Sequence, residues 1–68
     1  MKKWYGSTPK NCDICNEPIE DIFIDGKTDM GPWATMCPSC HAKCGKGLGM
    51  GTGQMYKKEG DVWYKIEG

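Results

Sequence analysis

The chain has 68 residues, with nine lysines balanced by nine acidic residues, so its formal net charge is zero with histidine neutral. A chain of this length buries only about 60% of its unfolded surface, which makes an apolar core alone marginal. No apolar run approaches the roughly 20 residues of a membrane helix. The composition also lacks the basic excess of a strong nucleic-acid binder. With one histidine and no length for a substrate pocket, we expect no enzymatic activity.

The chain opens with residues 1–10, which hold three lysines and no acid and predict an irregular basic arm. In this arm Trp4 and Tyr5 could dock on the domain or contact a partner. Residues 11–18 then predict a tight turn that carries the first two cysteines and is closed by a proline.

Residues 19–25 suit a short strand, in which Ile22 and Ile24 share one face and Phe23 takes the other. Asp25-Gly26 is a turn signal, and Gly31-Pro32 is a second break. Residues 33–36 then predict a short return strand.

A short helix is predicted from Pro38 to Cys44, because proline is tolerated at the first helical position. Gly45 would end it as a left-handed cap. The following segment has glycine at every second position, so residues 47–53 predict an irregular loop.

The C-terminal residues 54–68 predict a second hairpin. Residues 54–58 and 61–66 are its strands, with Glu59-Gly60 as the turn. In the second strand the residues expected to share a face are Val62, Tyr64 and Ile66.

The cysteines are the most informative residues. Cys12 and Cys15 form one C-x-x-C pair, Cys37 and Cys40 form another, and 21 residues separate the pairs. Two such pairs are typical of a tetrahedral Zn²⁺ site. The sequence therefore predicts one Zn²⁺ with a closed shell of four thiolates, which supplies folding energy that the core lacks.

Other ligand sets and cofactors are compatible with the same residues. His41 or Cys44 could replace Cys40, since residues four apart share a helix face. In the simpler interpretation His41 faces solvent and Cys44 packs as a small apolar residue. Residues 37–41 also match the C-x-x-C-H pattern of haem attachment, and four thiolates also suit a single iron ion.

The ligand spacing, with Trp33 shortly before the second pair, resembles treble-clef zinc fingers, and the GATA-type fingers have the most similar layout. The resemblance covers about residues 11–46 and implies a first pair on a zinc knuckle and a second at a helix start. The whole chain also resembles small zinc-finger proteins of bacteriophages. The odd number of cysteines and the two C-x-x-C pairs predict a reducing, cytoplasmic setting, which would be the host cytoplasm if the protein is viral.

We therefore predict a small metal-stapled α+β fold of treble-clef or zinc-ribbon type, with β-hairpins and one short helix in a single domain. Its parts are the basic arm (1–10), the four-cysteine zinc-finger core (11–46), the Gly-rich loop (47–53) and the C-terminal hairpin (54–68).

Two functions fit this fold. The first is an adaptor or inhibitor that binds another protein through the Gly-rich loop and the C-terminal hairpin. The second is a nucleic-acid-binding finger, in which lysines meet phosphates and aromatic rings stack on bases. In a third interpretation the aromatic residues simply form the core. The candidate partner-binding residues are Lys46, Leu48, Met50, Gln54, Tyr56, Lys57, Lys58 and Trp63.

Overall fold

The computed structural model describes residues 3, 4, 6 and 9–68. It confirms a small α+β fold in which the strands form one antiparallel sheet of order β2-β1-β3-β4 and a single short helix packs against β1 and β2. The elements in chain order are β1 (Ile22–Lys27), β2 (Trp33–Met36), α1 (Pro38–Cys44), β3 (Gly53–Glu59) and β4 (Val62–Glu67).

The two predicted hairpins are not separate units, because β1 and β3 pair along their length. Gly26 lies opposite Gly53 in this pairing. A Cβ atom at Gly26 would lie 3.0 Å from the carbonyl oxygen of Thr52 and 3.1 Å from the Cα of Gly53. The absence of a side chain at Gly26 therefore allows β3 to begin close beside β1.

The turn predicted at Asp25-Gly26 is wrong, since both residues lie inside β1. The chain reverses between Thr28 and Pro32 instead. The Thr28 hydroxyl donates a hydrogen bond to the carbonyl oxygen of Pro32 at 2.8 Å, and Thr28 is 1% exposed. A buried threonine therefore closes this hairpin, and pairing with β3 keeps the earlier turn signal extended.

The sheet has a different core on each face. On one face, the metal-side core, Ile24 and Met36 pack with Cys12 and Cys40. On the other face, the aromatic core, three buried rings pack together: Phe23, Tyr56 and Trp63. The alternation predicted for β1 is confirmed, because Phe23 and Ile24 enter opposite cores.

In β4 the buried residue is Trp63, which is 4% exposed, and not a member of the predicted face. Val62 and Tyr64 are half-buried and Ile66 is exposed. The register with β3 also shifts between Met55 and Tyr56. Val62, Tyr64 and Ile66, which were expected to share a face, thus alternate with Trp63, the β4 residue that enters the aromatic core.

The N-terminal arm contacts the sheet at Lys3 and Trp4. Lys3 forms a bridge with Tyr64, and the Trp4 N–H donates to the carbonyl oxygen of Trp63 at 2.9 Å. The Trp4 ring meets Phe23 edge-on at a centroid distance of 5.2 Å. Trp4 therefore docks on the aromatic core, whereas Tyr5 lies outside the described residues.

Helix α1 has the predicted bounds but ends differently. Gly45 is extended, with φ −77° and ψ 164°, and is not left-handed. A Cβ atom at this position would collide with the ring of His41. The close approach of the His41 ring therefore favours glycine at position 45. The Gly45 N–H still donates to the His41 carbonyl oxygen at 2.9 Å.

Within the part of the chain that the structure describes, no helix has the length and apolar character needed to cross a membrane.

Candidate metal centre

The first cysteine pair lies on a tight turn that precedes β1. The Asn16 N–H donates to the carbonyl oxygen of Cys12 at 2.9 Å, and the Cys12 N–H donates to that of Glu17 at 2.9 Å. Asn16 has a left-handed φ of 63°, a conformation that asparagine tolerates better than most residues. This compact turn, here called the knuckle (residues 11–18), sets Cys12 and Cys15 on one side of the chain.

The second pair lies where β2 gives way to the helix. Cys37 directly follows the buried Met36 and is the residue before α1, and Cys40 is in the first helical turn. Pro38 between them occupies the first turn, where its missing N–H costs no hydrogen bond. The end of a strand and the start of a helix therefore position this pair.

Asp13 joins the knuckle to β2. Its N–H donates to the carbonyl oxygen of Thr35 at 2.8 Å, and its carboxylate accepts the Thr35 N–H at 2.9 Å. These two bonds cover the outer edge of β2 at Thr35 and bring the two pairs together. Asp13 was not among the predicted site residues, because nothing in the local pattern indicates a partner 22 residues away.

All four sulfur atoms lie within 4.8 Å of one another. The Sγ atoms of Cys15 and Cys37 are 3.8 Å apart, and none of the five cysteines forms a disulfide. In a tetrahedral site with Zn–S bonds of about 2.3 Å, neighbouring sulfurs would be about 3.8 Å apart. The four predicted ligand residues are therefore brought together, in an arrangement that could hold one metal ion.

Backbone donors favour a thiolate at Cys12. The N–H groups of Ile14 and Cys37 each lie 3.4 Å from the Cys12 sulfur. Burial raises the pKa of this thiol, but hydrogen bonds from the backbone of Cys15, Cys37 and Ile14 and from the Cys40 side chain outweigh that effect and lower the pKa to about 6. Amide donors thus stabilise negative charge on Cys12 before any cation is bound.

Cys40 shows the opposite behaviour. Burial, followed by hydrogen bonds with the other three thiols and the negative charge of Cys12, raises the pKa of Cys40 to about 12. Negative charge on neighbouring sulfurs is mutually unfavourable at these distances. A divalent cation bound among the four sulfurs would remove this conflict, because it is attracted to all of them.

The two alternative ligands make other contacts. The Cys44 thiol donates to the carbonyl oxygen of Cys40 at 3.2 Å, and the sulfur packs against the metal-side core. The His41 Nε2 lies 3.1 Å from the carbonyl oxygen of Gly47. Neither side chain belongs to the group of four sulfurs.

The predicted partner-binding residues separate into three groups. Tyr56 and Trp63 are only 6% and 4% exposed, so their rings belong to the aromatic core and are not available at the surface. Leu48 packs against the metal-side core. The remaining residues are exposed or half-buried: Lys46, Met50, Gln54, Lys57 and Lys58.

A shallow cavity of about 270 Å³ lies beside the cysteines and is lined by residues 18–22, Cys37 and Pro38. Ligand pockets commonly have volumes of about 300–1,000 Å³. The acidic side chains at its rim are Glu20 and Asp21.

The chain matches no protein-family model, and no curated protein or solved structure shows significant similarity to it.

Proposed function

We propose that this protein is a binding module held in shape by one structural Zn²⁺, in a treble-clef-type arrangement, and that it acts as an adaptor or inhibitor of another protein. The observation that carries the metal assignment is the convergence of four thiols within 4.8 Å from a knuckle and a helix start. Binding to a partner protein is a separate inference, which is supported by the exposed surface and not by the metal site.

The donor set favours zinc over other common ions. Four sulfur ligands suit Zn²⁺ or an iron centre, whereas Mg²⁺ and Ca²⁺ take oxygen ligands. Cys12 and Cys40 are 1% and 6% exposed, while Cys15 is exposed, so the ion would bind at the border of the metal-side core. Four protein ligands fill a tetrahedral shell and leave no position for a catalytic water.

The metal would stabilise a face of the sheet on which several apolar side chains are only half-buried, namely Ala34, Leu48 and Met55. The metal-side core has only four buried residues, and two of them are cysteines of the cluster. Structural zinc is worth about 10–16 kcal/mol of apparent binding free energy in small finger peptides. That amount exceeds what burial of Ile24 and Met36 would contribute, at about 1.5–3 kcal/mol each.

Native mass spectrometry with and without a chelator tests this proposal. We expect one zinc per chain, and we expect Cys15→Ser to lose most of it. Ser39→Ala is the matched control, since Ser39 is exposed and lies between two cysteines of the same motif. A folded, metal-free wild-type protein, or equal zinc content in both variants, would contradict the assignment.

Binding to a protein is better supported than binding to nucleic acid. The burial of Tyr56 and Trp63 removes two of the rings on which bases would stack, and the chain contains no arginine. Lys57 and Lys58 remain exposed, but the acidic residues Glu59 and Asp61 are close to them in sequence.

Titration of labelled single- and double-stranded DNA at two salt concentrations separates the two functions. Binding driven by phosphate contacts weakens steeply as salt rises, because counterions are released. We expect no appreciable binding at low salt. Tight, salt-sensitive binding would replace the protein-binding proposal with the nucleic-acid one.

A further inference from the structure

Two loops meet at one end of the sheet. The first is the turn from β1 to β2, and the second is the Gly-rich segment after α1. The Lys27 N–H donates to the Thr52 carbonyl oxygen at 2.8 Å, and the Lys46 N–H donates to the Lys27 carbonyl oxygen at 3.2 Å. These backbone bonds place the two loops side by side, and the Asp29 N–H also donates to the Cys44 carbonyl oxygen at 2.8 Å.

This end of the molecule exposes large apolar side chains. Met30 is 65% exposed, Trp33 is 47% exposed and Met50 is 96% exposed. Met50 lies on a closed turn, in which the Gly53 N–H donates to the Gly49 carbonyl oxygen at 3.0 Å. The exposure of Met50 is therefore set by a hydrogen-bonded loop. Clustered exposed apolar residues with a polar rim mark interaction sites.

The charges of these two loops are mostly positive, although the exposed Glu67 at the end of β4 lies at the same end of the sheet. In residues 27–33 and 43–52 the charged side chains are three lysines and one acid, and all four are exposed. We define the loop-end surface by its exposed lysines and apolar residues: Lys27, Met30, Trp33, Lys43, Lys46 and Met50. Asp29 is the acid among them.

The other end of the sheet has the opposite character. Hydrogen bonding of the Lys58 N–H to the Asp21 carbonyl oxygen at 2.8 Å places the β3–β4 turn beside the segment that follows the knuckle. The exposed acids at that end are Glu17, Glu20, Asp21, Glu59 and Asp61, and they outnumber its exposed lysines, which are Lys10, Lys57 and Lys58. The loop-end surface is therefore distinguished by its charge as well as by its apolar residues.

We propose that the loop-end surface is a docking site for an acidic protein segment that carries apolar side chains between its carboxylates. Lysines at the rim would pair with the carboxylates and steer the encounter. The methionines would contact the apolar side chains, because flexible thioether chains adapt to irregular surfaces. Single-stranded nucleic acid would instead need several stacking rings, and Trp33 is the one exposed aromatic ring in these two stretches. The inference rests on the proposed protein-binding function and not on the identity of the metal.

The test uses the zinc-loaded full chain, ¹⁵N-labelled, with a synthetic peptide of alternating Glu and Leu as the probe. A peptide with Gln in place of Glu is the control. We expect amide shift changes confined to residues 27–33 and 43–52. Lys46→Glu should weaken binding about fivefold, as loss of exposed ion pairing implies. Met50→Ser should weaken it about tenfold, because less apolar surface is buried against the peptide.

Two matched variants outside the loop-end surface should bind like the wild type: Lys58→Glu for charge and Ile14→Ser for an apolar residue of the knuckle, which is 40% exposed. Shift changes on the sheet faces or at the acidic end would overturn the proposal. So would equal binding of the Gln peptide, preferential binding of oligothymidine, or sedimentation showing that a second copy of the chain occupies the surface. Zinc content is measured on each sample, so that failure of the docking site is distinguished from failure of the metal assignment. A zinc-loaded chain that does not bind the peptide contradicts only the docking site.

Discussion

The metal-side core and the aromatic core lie on opposite faces of one four-stranded sheet and are held together in different ways. The metal-side core combines Ile24 and Met36 with two cysteines, and α1 covers it. The aromatic core is made of rings alone: the Phe23 centroid lies 5.1 Å from that of Tyr56 and 4.9 Å from that of Trp63. Such ring pairs contribute about 0.5–1.5 kcal/mol each beyond their area burial.

The difference shows how a short chain can build two small cores. One face combines small and medium-sized apolar side chains with convergent thiols beneath α1, whereas the other is built from large aromatic side chains. Both cores share β1, in which Phe23 and Ile24 are neighbours in sequence. We therefore expect the cores to unfold together when β1 is released, while damage to one core need not change the chemistry of the other.

Acidification should have the largest effect, because it acts on the metal-side core through its ligands. Without metal the pKa of Cys12 is lowered to about 6 from 9.0. Its thiolate therefore stabilises the fold fully above pH 9 and loses that contribution as the pH falls through about 6. Protons also compete with zinc for every thiolate. We expect zinc release and cooperative unfolding between about pH 7 and pH 5. A zinc-sensitive dye would measure the release, and circular dichroism would measure the unfolding.

The contrasting outcome is a chain that keeps its zinc and its fold well below pH 5. A parallel measurement of zinc binding by calorimetry, in buffers of different ionisation enthalpy, should show net proton release at neutral pH, because Cys40, with a pKa raised to about 12, must lose its proton to bind.

Phe23→Ala removes a side chain from the aromatic core and leaves the side chains of the metal-side core unchanged. Phe23 is 0% exposed and contacts both Tyr56 and Trp63. Removal of a buried phenylalanine typically costs about 3–5 kcal/mol. We expect a marked fall in the midpoint of thermal unfolding with one zinc per chain retained below that midpoint. Loss of zinc from the still-folded variant would show that the two cores are not chemically separate. Phe23→Leu retains more apolar volume, so its midpoint of thermal unfolding should fall less than that of Phe23→Ala.

Asp13→Ala tests the link between the knuckle and β2. The variant loses the acceptor of the Thr35 N–H but keeps the backbone bond to the Thr35 carbonyl oxygen. We expect a loss of about 1 kcal/mol in the free energy of unfolding and weaker zinc binding. Asp13→Asn keeps a side-chain acceptor, so its free energy of unfolding should lie between those of Asp13→Ala and the wild type. Identical denaturation curves for the wild type and both variants would show that the Asp13 side chain does not help to bring the cysteine pairs together.

Cys44→Ser should have the smallest effect. The new hydroxyl can still donate to the Cys40 carbonyl oxygen, as the thiol does at 3.2 Å, and a hydroxyl removes little apolar packing from this half-buried position. We expect one zinc per chain and a change below about 1 kcal/mol in the free energy of unfolding. Loss of zinc in this variant would assign Cys44 to the ligand set in place of one of the four clustered cysteines.

The features that the sequence predicted well are local. The bounds of α1 follow from Pro38 and the change to glycine after Cys44, and the opposed faces of Phe23 and Ile24 follow from strand alternation. The chelating arrangement within each cysteine pair follows from its short internal spacing. The turn at Asp25-Gly26 and the left-handed Gly45 were wrong, because contacts from β3 and from His41 override the local preferences of these residues.

The sequence by itself determined that four thiols would occur in two chelating pairs, because the spacing within each pair is a property of a single turn. Only the tertiary structure decided that β1 pairs with β3, that Tyr56 and Trp63 are buried, and that the two loops meet at Lys27. These features depend on the register between strands distant in sequence. Register is set by all the contacts along a strand pair together, so no single stretch of residues reveals it.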